Sequence, residues 1–368
     1  MAEVKDYGEL FTADILVVGG SMSGLTTAIR AKENNPELDI LVIDKGIIGW
    51  NGQSTKAGNG IRSTSKHPDG VMNALGYLVH AHTPFLNDQE FLKRYLEVHR
   101  DNIDYMKHCG VQVSCDEDGN ATPLTFIPDA LDMAGVSINV NAQLRAFALK
   151  LGIRLMSRVN VFELLTSKTG KVIGAIGFGM DKGECKIFHA KAVAMATQGC
   201  HFKKIGLEFM GYGTGVGAMY RVGAVMRNVE FSTQVDVVFK KTNTPIYGGF
   251  NMICNKNGEN LTQKYIGHLE WEVTPALVNA MVKEVAAGNG PLWVDLEQPD
   301  EVRMMIGGTD MDESTQRMMR DKMAWEHLVF SKTAKNIGEV GTKPEATIKT
   351  VIQVEPVKVD TDIRTDVE

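Results

Sequence analysis

The stretch ADILVVGGSMSGLTTAIRA, residues 13–31, passes from an apolar run through a glycine-rich joint into a second apolar segment. The run at 15–18 is typical of a buried parallel strand, and the pattern at 25–29 favours a helix. Gly19 and Gly24 lie at the joint, where the backbone has to turn tightly. The stretch therefore predicts a strand, a tight turn and a helix packed close on its strand.

The spacing within the joint is typical of a dinucleotide-binding turn. Ser21 stands where the pattern G-x-G-x-x-G has its middle glycine, and the adjacent Gly20 still allows the turn. A second apolar run at 40–43 ends in Asp44, about twenty residues beyond Gly24, where an acidic residue accepts hydrogen bonds from an adenosine ribose. Asp44 would repel a 2′-phosphate, which disfavours NADP. The alternative is an ordinary strand–helix–strand unit with a surface Asp44.

Composition and charge narrow the class of protein. The 368 residues favour two domains, although one large α/β domain is also compatible with this length. The net charge of −6 and the scattered basic residues argue against a nucleic-acid partner, and no apolar run reaches the roughly 20 residues of a membrane helix. The N-terminus lacks a signal-peptide layout, so we expect a cytoplasmic protein. Five cysteines without a C-x-x-C pair predict no disulfide framework, metal site or iron–sulfur site in this chain.

A long loop rich in Gly, Ser and Thr, KGIIGWNGQSTKAGNGI at 45–61, follows the second strand. The backbone and small side chains of such a loop can pass over a flavin and its pyrophosphate without a steric clash. Here the chain resembles the FAD flavoprotein subunits of the fumarate reductase, succinate dehydrogenase and adenylylsulfate reductase superfamily. Four later segments resemble that family in the same order: GKVIGAIGFGMDKGECKIFHAKAVAMATQG at 170–199, GTGVGAMYRVGAVMRNVEF at 213–231, GGFNMICNKNGENLTQKY at 248–265 and TPALVNAMVKEVAAGNGPLWVDL at 274–296. The last segment is most similar to the alpha subunit of adenylylsulfate reductase.

The resemblance implies an α/β fold in which a Rossmann-like FAD-binding domain is interrupted by an α+β capping domain. The first part of the FAD-binding domain is expected at 1–231, the capping or substrate domain at 232–350, and the return to the FAD-binding domain at 351–368. In relatives, a segment like the last one leads into a Pro-Gly-Leu-Tyr-Ala-Ala-Gly-Asp joint whose amides hold the flavin ring. This sequence ends before that joint, so we expect the C-terminal part of the FAD-binding domain to lie in further polypeptide or in a further chain that completes the site.

The resemblance also assigns residues to FAD. The glycine-rich turn is expected at the pyrophosphate, Asp44 and Lys45 at the adenosine ribose, the loop at 52–60 near the flavin ring, Val161 at the adenine, and the turn at 197–199 on the adenosine half. The expected cofactor contacts are Gly19, Gly20, Ser21, Ser23, Gly24, Asp44, Lys45, Gly52, Gln53, Ser54, Thr55, Asn59, Gly60, Val161, Thr197, Gln198 and Gly199.

Several positions that carry chemistry in relatives hold other residues here. Gln53 stands where some relatives bond FAD through a histidine, and because a glutamine offers no nucleophilic nitrogen, noncovalent FAD is expected. Asn279 stands where the family has an arginine proton donor, and a neutral amide can neither clamp a carboxylate nor shuttle protons. An adenylylsulfate site would want an arginine where Val235 stands. The remaining candidates for catalysis are Gln234, Asp236, Lys240, His268 and Glu355.

The sequence therefore favours a FAD-dependent oxidoreductase subunit. Such a subunit would transfer hydride between the flavin and a small molecule, and it would exchange electrons with a ferredoxin-like iron–sulfur partner. Fumarate and succinate chemistry is disfavoured by the altered positions. The alternatives are an oxygen-dependent flavin oxidase and a non-catalytic electron-transfer flavoprotein subunit.

Overall fold

The structure, a computed structural model, describes residues 7–55, 60–82, 85–99, 101–121, 124–137, 139–201, 212–226, 234–239, 244–245, 253–267, 275–294, 345–351 and 353–354. The strands are β1 (Glu9–Val18), β2 (Ile40–Asp44), β3 (Gly60–Thr64), β4 (Leu124–Ile127), β5 (Leu131–Gly135), β6 (Arg154–Ser157), β7 (Val159–Thr166), β8 (Val172–Gly179), β9 (Cys185–Met195), β10 (Cys200–His201), β11 (Gln234–Phe239), β12 (Thr244–Pro245), β13 (Ile253–Cys254), β14 (Leu292–Val294), β15 (Glu345–Val351) and β16 (Gln353–Val354). The helices are α1 (Met22–Asn34), α2 (Gly70–Tyr77), α3 (Gln89–His99), α4 (Asn102–His108), α5 (Val140–Lys150), α6 (Thr214–Arg221), α7 (Leu261–Tyr265) and α8 (Pro275–Ala286). A short 3-10 helix spans Gln53–Thr55, and a π-helical turn, Leu78–His82, follows α2.

A mixed sheet with the order β6-β2-β1-β9-β8-β7 is built around the first strand of the chain. β6, β2, β1 and β9 run parallel, and β8 and β7 add to them in antiparallel pairs. Every residue of β2 is buried, and Leu16 and Val17 in β1 are fully buried. Near-continuous apolar sequence is expected for parallel strands that are covered on both faces.

Two helices pack on one face of this sheet. In α1, the buried side chains Leu25, Ala28 and Ile29 follow the helical spacing of three and four residues. Leu144 and Ala148 present the buried face of α5 to the same apolar cluster. Because each fully buried leucine or isoleucine contributes about 1.5–3 kcal/mol, this cluster fixes α1 and α5 on the sheet.

The remaining described strands form smaller sheets. β3, β5 and β4 make an antiparallel sheet next to α2 and α3, in a region where the sequence predicted no elements. A second large sheet has the order β12-β11-β15-β14-β13 and is built from the later part of the chain. β16 pairs with β10, so residues 353–354 return to the strand that follows the turn at 196–199.

The topology brings three loops to one edge of the main sheet. The parallel strands β1, β2 and β9 end at Val18, Asp44 and Met195, and their register places these ends side by side. The loops that follow them are the turn at 19–24, the loop at 45–55 and the turn at 196–199. Ligands of α/β proteins bind at this carboxyl edge, so the loops define a candidate site.

The described ranges contain neither a helix that could span a membrane nor a candidate metal-binding cluster. None of the helices there combines the length and apolar character that a membrane crossing requires. The same residues contain no group of three or more His, Cys, Asp or Glu side chains placed to hold a metal ion.

Candidate cofactor site

The joint between β1 and α1 is possible only with glycines. Gly19 has a φ of +116°, and a Cβ on it would lie 2.2 Å from the carbonyl oxygen of Ala196. A Cβ on Gly24 would lie 1.8 Å from the carbonyl oxygen of Gly19. The glycines therefore let the turn, the helix and the neighbouring loop approach to backbone contact, as a pyrophosphate-binding turn requires.

Ser21 is the N-cap residue of α1, but its hydroxyl does not cap the helix. Its backbone has the extended conformation usual for an N-cap, with φ −92° and ψ −167°. Its Oγ lies 2.7 Å from Ser54 Oγ and accepts from Asn141 Nδ2 over 3.1 Å. The amides of the first helical turn are therefore left without a side-chain cap. Such amides stabilise a phosphate, because they point outward at the positive end of the helix dipole.

Asp44 joins the glycine-rich turn to the loop that follows β2. Asp44 is 8% exposed. Its Oδ2 accepts from the Gly20 amide over 2.6 Å, and its Oδ1 accepts from the Gly46 amide over 2.7 Å and from Asn51 Nδ2 over 2.6 Å. A carboxylate offers about four acceptor positions, so one remains after these three bonds. The bond to an adenosine ribose stays a prediction for that remaining position.

Lys45 links the end of β2 to the start of α6. Its ammonium group lies 4.8 Å from the ring centroid of Tyr212, which precedes the N-cap residue Gly213. Burial lowers the pKa of Lys45, and the neighbouring Asp44 opposes this shift. The role of Lys45 at the adenosine ribose stays a prediction.

The loop after β2 is held against both neighbouring loops. Gly52 has a φ of +91°, and a Cβ on it would lie 2.3 Å from Ser21 Oγ. Thr55 Oγ1 donates to the carbonyl of Gly52 over 2.7 Å, which closes the 3-10 turn. Gln198 Nε2 donates to Gln53 Oε1 over 3.1 Å. Gln53, which stands where some relatives have a histidine bonded to FAD, is thus hydrogen-bonded to the turn that follows β9.

Thr197 carries a buried hydroxyl that lacks a hydrogen-bond partner among the described residues. A Cβ on Gly215, in the first turn of α6, would lie 2.2 Å from this Oγ1, so the missing side chain makes room for Thr197. Gly199 is buried two residues further along. An unpartnered buried hydroxyl is costly, and a ligand that bonds to it would remove that cost.

These loops fit FAD. They offer uncapped helix amides for the diphosphate, a buried carboxylate at Asp44, where the sequence predicts the adenosine ribose, and the free Thr197 hydroxyl. We call this set, residues 19–24, 44–55 and 196–199, the FAD cradle. It brings together most of the predicted contacts, namely Gly19, Gly20, Ser21, Gly24, Asp44, Lys45, Gly52, Gln53, Ser54, Thr55, Thr197, Gln198 and Gly199.

The remaining predicted contacts are Ser23, Val161, Gly60 and Asn59. Ser23 is exposed in the first turn of α1. Val161 is buried in β7, at the end of the strand order, and Gly60 is the first residue of β3 in a different sheet. Asn59 lies outside the described residues. The FAD roles of these residues stay predictions.

The catalytic candidates are placed only in part. Gln234 and Asp236 belong to β11, where Val351 and Lys349 of β15 are their partners in the ladder. Lys240, His268 and Glu355 lie outside the described residues, so their roles stay predictions.

Asn141, which is fully buried in α5, was not among the residues predicted from the sequence. Its amide nitrogen is within hydrogen-bond distance of Ser21 Oγ, Ser54 Oγ and the Asn51 carbonyl. A signal was present, because a polar residue stands on the apolar face that Leu144 also occupies. A buried asparagine on such a face needs polar partners from elsewhere in the chain.

A second buried polar group, which we call the Glu284 cluster, comprises Asn255, Glu259, Lys264, Tyr265 and Glu284. Glu284 is 1% exposed and accepts from the Tyr265 hydroxyl, from Asn255 Nδ2 over 2.9 Å and from Lys264 Nζ over 2.9 Å. The hydrogen bond from Tyr265, followed by that from Asn255, holds the pKa of Glu284 at about 2. Lys264 also contacts Glu259 at 2.9 Å. The cluster fixes α7 and the turn at 255–259 on α8.

The family model described as "FAD binding domain" matches residues 14–321, which include the whole FAD cradle. The chain belongs to this family. It is a FAD flavoprotein of the fumarate reductase and succinate dehydrogenase superfamily, and both the predicted superfamily and the predicted cofactor are confirmed.

Curated relatives include the 8-methylmenaquinol:fumarate reductase flavoprotein subunit of Wolinella succinogenes, which is 20% identical over 296 residues, or 75% of this chain and 47% of that protein. The fumarate reductase flavoprotein subunit of Mycobacterium tuberculosis is 24% identical over 277 residues, or 68% of this chain and 45% of that protein. The chain thus spans about half the length of the curated relatives it matches.

Solved structures of this superfamily share the fold. An E. coli quinol fumarate reductase FrdA mutant matches with a TM-score of 0.73 and 19% identity, over 97% of this chain and 63% of that chain. Adenylylsulfate reductase from Archaeoglobus fulgidus matches with a TM-score of 0.68 and 19% identity, over 95% of this chain and 59% of that chain. These likenesses confirm the predicted α/β, Rossmann-like fold of the FAD-binding domain.

Proposed function

We propose that the chain is part of a FAD-dependent oxidoreductase subunit that transfers hydride between its flavin and a small molecule. The observation that carries the proposal is the FAD cradle, in which three loops from neighbouring parallel strands are bonded to one another and leave polar groups open for a cofactor. FAD supplies the hydride chemistry when it is bound. The protein contributes the binding, the orientation and the charges around the cofactor.

The proposed electron partner is a ferredoxin-like iron–sulfur protein. The curated relatives from W. succinogenes and M. tuberculosis are both named as flavoprotein subunits, which supports a function within a larger assembly. We extend the proposal to noncovalent FAD, because the Gln53 side chain accepts a hydrogen bond from Gln198 and offers no nucleophile.

We also propose the domain division at 1–231, 232–350 and 351–368. The sheet β12-β11-β15-β14-β13 supports a separate middle unit, although β15 ends one residue past the proposed boundary, at Val351. The pairing of β16 with β10 supports the return of the chain to the FAD-binding part.

The substrate proposed here is a small molecule other than fumarate or succinate. Asn279 lies exposed in the middle of α8, where the resemblance places the arginine of dicarboxylate enzymes. An amide carries no charge to clamp a carboxylate. The same residue favours a second candidate function, a flavoprotein subunit that carries electrons without acting on a small molecule.

An anaerobic titration of the natural protein tests the proposal. Candidate small-molecule reductants and oxidants are added while the flavin absorbance is followed, and a ferredoxin-like protein is titrated in parallel. Bleaching or recovery of the flavin by a small molecule, with electrons then passing to the iron–sulfur protein, supports the oxidoreductase. A response to the iron–sulfur protein alone would establish the electron carrier instead. Re-oxidation by oxygen without any protein partner would establish an oxidase.

Acid precipitation of the same preparation tests the noncovalent link. FAD in the supernatant is the expected result, and flavin that stays with the precipitated protein would contradict it.

A further inference from the structure

We propose that Asn141 is a positioning residue for FAD, which keeps the hydroxyl of Ser21 away from the first turn of α1 so that its amides stay available to the diphosphate. The proposal rests on the FAD site of the family and on contacts within this chain, and it is independent of the substrate proposed above. No catalytic step is assigned to Asn141.

The first support is a closed ring of hydrogen bonds. Ser21 and Ser54 lie 2.7 Å apart through their hydroxyl oxygens, Ser54 Oγ donates to Asn141 Oδ1 over 3.1 Å, and Asn141 Nδ2 donates to Ser21 Oγ over 3.1 Å. When Ser21 donates to Ser54, each of the three side chains donates once and accepts once within the ring. Asn141 Nδ2 also lies 2.9 Å from Ser54 Oγ and 3.2 Å from the carbonyl oxygen of Asn51, so its second hydrogen has an acceptor as well. All polar atoms of this buried asparagine are thereby satisfied.

The second support is a competition for the Ser21 hydroxyl. A serine at an N-cap normally accepts a hydrogen bond from an amide of the first helical turn, and Ser21 has the backbone conformation for that bond. The ring draws the hydroxyl toward the loop at 51–55 instead. Gly52 allows this position, because a Cβ there would lie 2.3 Å from Ser21 Oγ.

The third support is the burial of Asn141 at a long distance in sequence. Asn141 is 0% exposed and lies 120 residues from Ser21 and 87 residues from Ser54. A buried amide without partners would destabilise the fold, so this residue depends on the two loops that it joins. Both of these loops belong to the FAD cradle.

A double-mutant cycle between Asn141 and Ser21 tests the inference. FAD dissociation constants are measured by quenching of flavin fluorescence on the full natural protein after removal of its flavin. In Asn141→Ala, Ser21 is free to cap α1 itself, so FAD has to displace a capping bond, and we expect the dissociation constant to rise about fivefold. Ser21→Gly alone provides the reference dissociation constant for the double variant, because glycine is a tolerated N-cap residue and carries no hydroxyl.

The deciding measurement is the double variant. Asn141→Ala with Ser21→Gly should bind FAD within about twofold of Ser21→Gly alone, because no hydroxyl then competes for the amides. Recovery of this kind is not expected for damage to packing, which a second substitution would leave or increase. An unchanged dissociation constant in Asn141→Ala, or a raised one that the second substitution does not restore, would overturn the proposal.

Two further variants keep the test decisive. If Asn141→Ala does not fold, Ser54→Ala removes the other partner of the Ser21 hydroxyl from a less buried position, and the same cycle is measured with it. The matched control is Asn255→Ala, because Asn255 is an equally buried asparagine, 1% exposed, in the Glu284 cluster. The control should lower stability without changing the affinity for FAD.

Discussion

The FAD cradle and the Glu284 cluster both bury polar groups, but they satisfy them in different ways. In the cradle, the Thr197 hydroxyl is buried without a partner and the first turn of α1 has no side-chain cap. In the cluster, the carboxylate of Glu284 is bonded by Tyr265, Asn255 and Lys264 from within the chain. A buried charge that its own neighbours satisfy is a structural feature, whereas polar groups left open at the carboxyl edge of a parallel sheet are typical of a ligand site.

The contrast has a consequence for mutations. Changes in the cradle should lower FAD affinity, with or without a loss of stability. Changes in the cluster should lower stability and leave FAD affinity unchanged. Each of the following substitutions tests one side of this division.

The largest effect is expected from Gly24→Ala. The added methyl group would lie 1.8 Å from the carbonyl oxygen of Gly19, so the turn that receives the diphosphate has to move. We expect the free energy of unfolding to fall by about 3 kcal/mol, and the FAD affinity to fall on the order of a hundredfold. Urea unfolding and flavin fluorescence titration measure the two quantities.

Gly76→Ala is the matched control for this prediction. Gly76 lies in α2, and a Cβ there would have no atom within 4 Å. Alanine in a helix should raise the free energy of unfolding by up to about 1 kcal/mol and leave FAD binding unchanged. Wild-type FAD affinity in Gly24→Ala would show that close approach at this joint is not required.

Glu284→Gln should act on stability alone. The substitution keeps the shape of the side chain but removes the charge that Lys264 and Tyr265 contact. We expect a loss of about 2 kcal/mol in the free energy of unfolding. The loss should be smaller than for a buried charge left without any partner, because Lys264 retains Glu259. The control is Glu163→Gln, whose carboxylate is 33% exposed beside Arg221 and should cost below about 1 kcal/mol. A change in FAD affinity in Glu284→Gln would contradict the division between the two regions.

The charge on Glu284 should also make the free energy of unfolding depend on pH, and this effect is expected to be smaller. Hydrogen bonds from Tyr265 and Asn255 hold the pKa of Glu284 at about 2, below the ordinary value of 4.5. A depressed carboxyl pKa stabilises the folded state above the unfolded pKa, and the contribution is lost as the pH falls from about 5 toward 2. The difference in unfolding free energy between wild type and Glu284→Gln should therefore shrink over this range. A difference that stays constant down to pH 2 would exclude a stabilising charge on Glu284.

The local elements of the cradle could be predicted from sequence, because each depends on neighbouring residues. The strand at 15–18, the glycine joint and Asp44 at the end of a second strand all follow from apolar runs and spacing, and β1, α1 and β2 contain them. β1 begins earlier, at Glu9, because its outer half pairs with β9, and pairing over 177 residues leaves no local pattern.

The connections within the cradle could not be predicted. The bond of Asn141 to Ser21 and that of Gln198 to Gln53 join residues 120 and 145 positions apart, and only the folded topology makes them neighbours. The pairing of β3 with β5 was missed for a similar reason, since it joins residues 60–64 to 131–135. The resemblance to a family gave the identity of the cofactor, but not these contacts.

The smallest effects are expected at two threonines, whose buried hydroxyls can be compared directly. Thr197 in the cradle and Thr262 in α7 both carry a buried hydroxyl with no partner among the described residues. Replacing either with valine removes an unsatisfied polar atom and should raise the free energy of unfolding of the FAD-free protein by about 1 kcal/mol. If the Thr197 hydroxyl bonds to FAD, Thr197→Val should also weaken FAD binding about fivefold, while Thr262→Val leaves it unchanged. Equal FAD affinities in the two variants would mean that the open hydroxyl of Thr197 is a packing defect like that of Thr262, and the cradle would then depend on its backbone amides and Asp44 for binding.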